Sequence, residues 1–311
     1  MGRHFDRMYE KMSFKALIEL AAPPTWSASI VPVFLGCALG YARGGSLDPV
    51  LFLCTLFICV IFQSAVNTLN DYTDFVKGAD TEENTDDVND ASIVYNRIDP
   101  KAARNAGFIM VACGLAVGAY VIAVTSWIAL AFAGVGILTL LLYALPKVPI
   151  SDTPFGELTS GFVMGGIITM AVYYVQTCTV DFAILLYALP AIITIGCIML
   201  VNNTSDIEKD LEAGRRTLAV LLGRARATTL LFTLITLAMA IVCVIVLAVF
   251  PGGWCFLPVM VVSVFIPTRM MYRNGIVPAV RRFNMQGIGT VNVRIVISYT
   301  VCILLSCLIS G

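Results

Sequence analysis

Residues 49–80 read PVLFLCTLFICVIFQSAVNTLNDYTDFVKGAD, and this stretch decides the fold. Residues 49–70 carry no charged side chain. A bilayer core of about 30 Å takes about 20 helical residues to cross, so this run is long enough to span a membrane. The polar end that follows keeps a helical period. Asn67, Asn70, Asp71 and Asp74 stand at i, i+3, i+4 and i+7, which puts all four on one face if the helix continues past the apolar run.

The rest of the chain has the same character. Of 311 residues, 59% are apolar and 13% charged, and the mean hydropathy is +0.88. So few charges cannot cover the surface of a soluble protein of this size. A disordered chain, a nucleic-acid binder working by bulk charge and an ordinary cytosolic enzyme are excluded. The lipid bilayer is an expected partner and nucleic acid is not. Nine apolar stretches read as spans: 17–42, 49–70, 104–124, 127–146, 156–177, 182–203, 227–250, 253–272 and 288–309. Pro23 and Pro24 break the first. Nine spans with the N-terminus in the cytoplasm put 18 of the 20 Lys and Arg residues on the cytoplasmic side, whereas eight or ten would scatter them. The expected fold class is therefore all-α: a polytopic membrane protein of nine transmembrane helices with a cytoplasmic N-terminus.

The opening MGRHFDRMYEKMSFK lacks a signal-peptide core and cleavage site. It reads as a short surface helix with Phe5, Met8, Tyr9 and Met12 on one side. Residues 1–16 thus form a cytoplasmic surface segment, and 17–311 a single transmembrane domain with cytoplasmic loops at 71–103 and 204–226. The outer connections are short, so any function is built from the helices and the cytoplasmic loops. The one histidine, His4, leaves no His-based zinc site and no Ser-His-Asp triad. The ten cysteines form no C-x-x-C pair, and nearly all lie in apolar runs as small buried hydrophobes.

The acids are not scattered. Of 20 carboxylates, nine lie between Asp71 and Asp99 and four between Asp206 and Glu212. The second cluster opens Asn202-Asn203-Thr-Ser-Asp206-Ile-Glu208-Lys209-Asp210, and runs on to Arg215-Arg216. Asn202, Asp206 and Asp210 recur every four residues, again one helical face. Carboxylates one turn apart repel and need a cation. The donors are all hard oxygens, which favours Mg²⁺ over zinc or copper. Mg²⁺ is commonly held by one or two carboxylates plus substrate phosphates. Two such faces at one membrane side are suited to hold a diphosphate between them through Mg²⁺. Lys77, Lys209, Arg215 and Arg216 are placed to neutralise the remaining phosphate charge. The alternative for any one such pair is a set of solvated loop acids, which is the better reading for Asp86, Asp87, Asp90 and Asp99.

Asn67-x-x-Asn70-Asp71-x-x-Asp74 with Asn202-x-x-x-Asp206-x-x-x-Asp210 resembles the paired aspartate-rich motifs of the UbiA superfamily of intramembrane prenyltransferases. The branch that prenylates 1,4-dihydroxy-2-naphthoate in menaquinone synthesis is the most similar. Its forms of the motifs look like Asn70-Asp71-Tyr72 with Lys77-Gly78-x-Asp80, and Asp206-Ile-Glu-x-Asp210 with Gly214-Arg-Arg-Thr217. Thr153-Pro-Phe-Gly156-Glu157 and Tyr173-Tyr174-Val175-Gln176 are similar to its fifth span, and Tyr143-x-x-x-Lys147 to the superfamily's Tyr/Lys pair. Two stretches depart from the pattern. Ala21-Ala22-Pro23-Pro24 stands where many relatives carry an Arg before Pro, and the loop from Thr81 to Pro100 lacks a basic R-x-G-P run.

The resemblance implies Mg²⁺ held by Asp71, Asp74, Asp80, Asp206 and Asp210. It implies a polyprenyl diphosphate as donor and an aromatic acceptor, 1,4-dihydroxy-2-naphthoate, which loses its carboxylate to give demethylmenaquinol. Asn67, Asn70, Asn202 and Asn203 would orient ligands or donate to phosphate, with Lys77, Lys147, Lys209 and Arg215 as further phosphate contacts. Tyr143 faces the allylic cation or is an ordinary interfacial tyrosine. Glu157 and Gln176 contact the acceptor or bridge helices. Two rival readings stand beside this one: a UbiA-type enzyme with another aromatic or quinoid acceptor, and a cation or metabolite transporter.

Overall fold

The computed structural model describes residues 9–78, 80, 91–144 and 149–310. Among these residues the regular structure is helical, apart from one isolated bridge between Glu10 and Ile98. The main helices are α1 (Phe14–Leu20), α2 (Ser27–Ala42), α3 (Pro49–Lys77), α4 (Pro100–Val124), α5 (Ile128–Ala144) and α6 (Gly156–Thr177). They continue with α7 (Leu189–Ser205), α8 (Ile207–Glu212), α9 (Arg224–Val249), α10 (Leu257–Asn274) and α11 (Arg281–Ser310).

Local sequence explains where the decisive helices start and stop. Asp48 caps α3 by accepting the N–H groups of Val50 and Leu51 at 2.8 and 3.0 Å, with Pro49 at the first helical position. Asp99 and Pro100 repeat the device at α4, where Asp99 accepts the Lys101 N–H at 2.9 Å. At its far end α3 runs on through the acidic stretch to Lys77 and stops at Gly78, whose φ is 75°. Its 29 residues make a rod of about 44 Å, well beyond the bilayer core, so the last turns project past the hydrocarbon.

The sequence leads to an expectation of nine spans; among the described residues six helices are long and apolar enough to cross a bilayer. A seventh is available if α1 and α2, bent by 56° around the Pro23–Thr25 turn, count as one broken span. The fourth and sixth stretches fall short because α5 and α7 are 17 residues each, about 26 Å of helix. α7 ends at Ser205 because the chain bends at Asp206. The surface helix expected before residue 16 falls partly on residues 1–8, outside the described residues. From Tyr9 on, the chain stays non-helical until Phe14.

Large apolar side chains cover the outside. Leu53, Ile109, Leu138, Val244 and Phe265 are each more than half exposed. Such a surface suits lipid and not water. Trp127, Phe182 and Trp254 are exposed at the connections farthest from the acidic segments, where aromatic side chains favour a membrane interface. The protein is a multi-pass membrane protein.

The two halves pack differently. α7, α9, α10 and α11 share one continuous core that includes Leu200, Leu231, Val242, Val264 and Ile295. Gly165 on α6 lets that helix lie against α7, since a Cβ there would sit 2.5 Å from the Ile192 nitrogen. Polar groups in this half are tied between helices: Thr194 Oγ1 donates to Asn292 Oδ1 at 2.7 Å, and the Arg294 guanidinium donates to the Ser263 carbonyl. α2 and α6 join this core through Val31, Leu35, Leu39, Met170 and Tyr173, whereas α3, α4 and α5 have only small apolar clusters, and a cavity of about 620 Å³ lies among α2 to α7 and the start of α11.

Candidate active site

The last turns of α3 supply the first set of polar groups. Asn67 Nδ2 donates to the Ala21 carbonyl at 3.0 Å and to Thr25 Oγ1 at 2.8 Å, fastening α3 to the bend between α1 and α2. The Ala-Ala-Pro-Pro-Thr departure noted in the sequence is thus the partner of the motif's first asparagine. Asp71 is buried, and its Oδ2 accepts the Ser92 N–H at 3.0 Å from the short helix Ser92–Tyr95. Asp74, one turn on, is also buried; Asn70 Nδ2 donates to its Oδ2 at 3.1 Å. Asn70 and Asp74 therefore act as a unit.

The second set comes from α7, α8 and the loop after them. Asn202 and Asp206 both receive Arg281, from the start of α11: Nη2 donates to Asn202 Oδ1 at 2.6 Å, and Nε lies 2.8 Å from Asp206 Oδ1. Asp210, buried on α8, accepts Thr217 Oγ1 at 3.2 Å and has Arg215 Nη1 at 3.5 Å. Lys209 Nζ lies 2.8 Å from buried Asp80.

Arg215 joins the two sets. Its guanidinium pairs with Asp74 from the first, with Asp210 from the second, and with Asp152 at 3.2 Å from the turn before α6. Lys77 closes the ring on Asp152 at 3.0 Å. Burial alone would lower the pKa of Arg215, but Asp74, Asp152 and Asp210 together raise it, so it stays charged. Burial pushes the Asp210 carboxyl up to about 7; Arg215 draws it down and Asp206 adds to the rise.

Five carboxylates here, Asp74, Asp80, Asp152, Asp206 and Asp210, share four cations, Lys77, Lys209, Arg215 and Arg281, and Asp71 adds a sixth carboxylate held by a backbone N–H. The excess negative charge and the all-oxygen donor set suit Mg²⁺. Among the described residues no three acidic, histidine or thiol side chains converge as a ready-made metal cage.

The 620 Å³ cavity opens on this polar end. Asn67, Asn70, Asp71, Asn202 and Arg281 line it there, and Phe62, Phe132, Val163 and Ile195 line its apolar depth. Tyr143 also lines it, and its carbonyl accepts Ser151 Oγ at 3.0 Å. The volume lies in the range of small-molecule sites, with few polar groups against a mostly apolar wall.

Three expected site residues lie elsewhere or beyond view. Gln176 is at the opposite end of α6, where its Oε1 accepts the Asp48 N–H at 2.8 Å and its Nε2 donates to the Asp48 carbonyl at 3.3 Å. It joins α6 to the start of α3 instead of touching a substrate. Asn203 points away from the cavity and donates to buried Glu157 at 2.9 Å, so this pair bridges α6 and α7. Lys147 lies outside the described residues. Two residues at the centre of the network, Asp152 and Arg281, carried no signal in the sequence. Asp152 stands outside both acidic segments and Arg281 opens an Arg281-Arg282 pair at a helix start, and their partners lie 63 to 79 residues away in the chain.

Comparison with known proteins places this geometry. The profile of the UbiA prenyltransferase family matches residues 29–281. The chain is 35% identical over 263 residues to 1,4-dihydroxy-2-naphthoate octaprenyltransferase of Bacillus subtilis, covering 82% of this chain and 83% of that one. It is 29% identical over 238 residues to the enzyme of the same name from Haemophilus influenzae, covering 74% and 76%. Among solved structures it is similar to a UbiA homolog from Archaeoglobus fulgidus bound to GPP and Mg²⁺, with a TM-score of 0.65 at 16% identity over 93% of this chain and 99% of that one. Two acidic segments meeting at the mouth of an apolar cavity, and a family match that spans both, lead to one conclusion: the chain belongs to the UbiA prenyltransferase family.

Proposed function

We propose that this protein transfers a polyprenyl group from a polyprenyl diphosphate to 1,4-dihydroxy-2-naphthoate in a Mg²⁺-dependent reaction, with decarboxylation to demethylmenaquinol. The observation that carries this reading is that Arg215 ties Asp74 of the first acidic segment to Asp210 of the second, next to a cavity whose polar end is lined by Asn67, Asn70, Asp71 and Asn202. The names of the two relatives support the choice of acceptor.

Asp71, Asp74, Asp206 and Asp210, with Asp80, would hold Mg²⁺, which would supply positive charge to the departing diphosphate. Lys77, Lys209 and Arg215 neutralise the phosphate oxygens left over, and Asn67, Asn70 and Asn202 orient donors at the rim. The apolar wall holds the prenyl chain and keeps water from the allylic cation as the carbon–oxygen bond breaks. Tyr143, which lines the cavity, would offer an aromatic ring to that cation. The acceptor's ring carbon that bears the carboxylate forms the new carbon–carbon bond. Loss of CO₂ returns an electron pair to the ring, so no base has to remove a proton there.

The site sits on the cytoplasmic side of a bacterial plasma membrane in this reading, and the N-terminus is cytoplasmic. α5 and α7 complete nine crossings as short helices, in bilayer thinned or bridged locally around them.

The test is pyrophosphate release and product mass for the purified protein with Mg²⁺, a polyprenyl diphosphate and 1,4-dihydroxy-2-naphthoate. A prenylated, decarboxylated naphthoquinol is expected. Turnover only with a different aromatic would move the acceptor assignment and keep the mechanism. No metal-dependent turnover with any prenyl diphosphate would overturn the reading.

A further inference from the structure

Asp152 belongs to neither acidic segment, yet it touches a cation from each. Its carboxylate lies 3.0 Å from Lys77 Nζ at the end of α3 and 3.2 Å from Arg215 Nε in the loop after α8. Its own carbonyl accepts the Arg216 N–H at 2.9 Å. The Ile150–Asp152 turn that carries it is fastened one residue earlier, where Ser151 Oγ donates to the Tyr143 carbonyl. The side chains of Asp152, Arg215 and Lys77 are 13%, 17% and 29% exposed, so water and salt screen these contacts less than they would a surface pair.

Arg215 has three carboxylate partners among the described residues: Asp74, Asp152 and Asp210. The proposed function commits Asp74 and Asp210 to Mg²⁺. A carboxylate engaged with a divalent cation has fewer lone pairs left to orient a guanidinium. Asp152 is then the partner that keeps Arg215 in place, and it keeps Lys77 in place at the same time. An anion gains nothing by touching a diphosphate, so the benefit is geometric. Two long, flexible cations, one from each segment, are ordered before the substrate arrives, and that ordering cost is not taken from binding.

We propose that Asp152 is a positioning residue for the diphosphate, clamping Lys77 and Arg215 between the two acidic segments. The proposal rests on the reading of those segments as a diphosphate site, and the test separates the two.

Binding of an unreactive prenyl S-thiolodiphosphate with Mg²⁺ is measured by calorimetry on the detergent-purified full chain. Wild type is compared with Asp152→Asn, Asp152→Glu and Asp71→Ala, and each variant's thermal unfolding midpoint is recorded. Asp152→Asn should weaken binding about tenfold, as expected for loss of charge-assisted contacts. It should leave the Mg²⁺ concentration for half-maximal binding unchanged, and Asp152→Glu should recover most of the affinity. Asp152→Asn in an Arg215→Gln background should add little, because the clamp has already lost one of its cations. Wild-type affinity in Asp152→Asn would overturn the proposal. So would a tenfold rise in the Mg²⁺ requirement, which would make Asp152 a metal ligand. Equal loss of affinity and of unfolding midpoint in both Asp152 variants would make it a structural brace. No analogue binding by wild type would overturn the diphosphate reading and this proposal together; binding by wild type that Asp71→Ala abolishes keeps that reading standing whatever Asp152 does.

Discussion

The first acidic segment rides on an unbroken helix, and the second lies across a bend. α3 stays helical from Pro49 to Lys77, so Asn67, Asn70, Asp71 and Asp74 keep the common face that their spacing implies. α7 ends at Ser205, Asp206 sits at φ −103° and ψ 17°, and α8 restarts at Ile207. Asn202 and Asp206 still share a partner in Arg281, but Asp210 turns to Arg215 and Thr217. A straight helix presents its acids to one place. A bent one divides them between two cations, and one of those cations also reaches the first segment. The bend is what connects the segments.

The sharpest test of this comparison is removal of the acids themselves. Asp71→Ala, Asp74→Ala, Asp206→Ala and Asp210→Ala should each lower kcat/KM by about 10²–10³-fold, the scale of losing a group that stabilises developing charge. If both segments hold one diphosphate, the losses are similar and the double variant Asp74→Ala/Asp210→Ala is far from additive. Losses confined to one segment, measured under saturating Mg²⁺, would break the symmetry drawn here.

A smaller effect separates the segments. Asp206 depends on a side chain, Arg281, whereas Asp71 takes a backbone N–H from Ser92. Arg281→Ala leaves Asp206 with its paired cation gone. Side-chain exposures of 15% and 14% place the cost at about 2–3 kcal/mol, below that of a fully buried pair. Arg281→Lys keeps the charge and loses the two-pronged contact, so it should recover only part of the stability. Thermal unfolding in detergent reads both. Ser92→Ala keeps the backbone donor that Asp71 uses, whereas Ser92→Pro removes it and should lower the unfolding midpoint further.

These particulars show what was legible in the sequence. The apolar runs and the first acidic face are local patterns, set by hydropathy and by a period of 3.6, and each can be read from a few adjacent turns; the second expected face, Asn202, Asp206 and Asp210, is broken by the bend at Asp206. Two misplacements were avoidable on the same physics. Asn203 follows Asn202 by 100° around the helix and cannot share its face, which is why it meets Glu157 instead. Gln176 lies 20 residues along α6 from Gly156, about 30 Å from the acidic end. Asp152 and Arg281 are another matter. Nothing near them in the chain repeats, and their roles exist only after α6 and α11 are packed beside α3 and α7. The shortness of α5 and α7 is likewise invisible in hydropathy, which counts apolar residues but does not locate bends.

The smallest effect comes from the glycines that end the two segments. Gly78 closes α3 at φ 75°, and Gly214 follows α8 at φ 73°; a Cβ at either would meet no atom within 4 Å. Alanine at either position therefore costs only the left-handed backbone, about 1–2 kcal/mol, with no clash to add. The two losses of stability should match, but the consequences should differ. Lys77, just before Gly78, is anchored on Asp152 whatever Gly78 does. Gly214 sets the direction of Arg215, whose N–H donates to the Asp210 carbonyl at 2.8 Å and whose guanidinium spans both segments. Gly214→Ala should thus raise KM for the prenyl diphosphate several-fold at unchanged Mg²⁺ requirement, and Gly78→Ala should not. Equal kinetic effects from the two substitutions would mean that the bend at Asp206, and not the turn at Gly214, aims Arg215 between the segments.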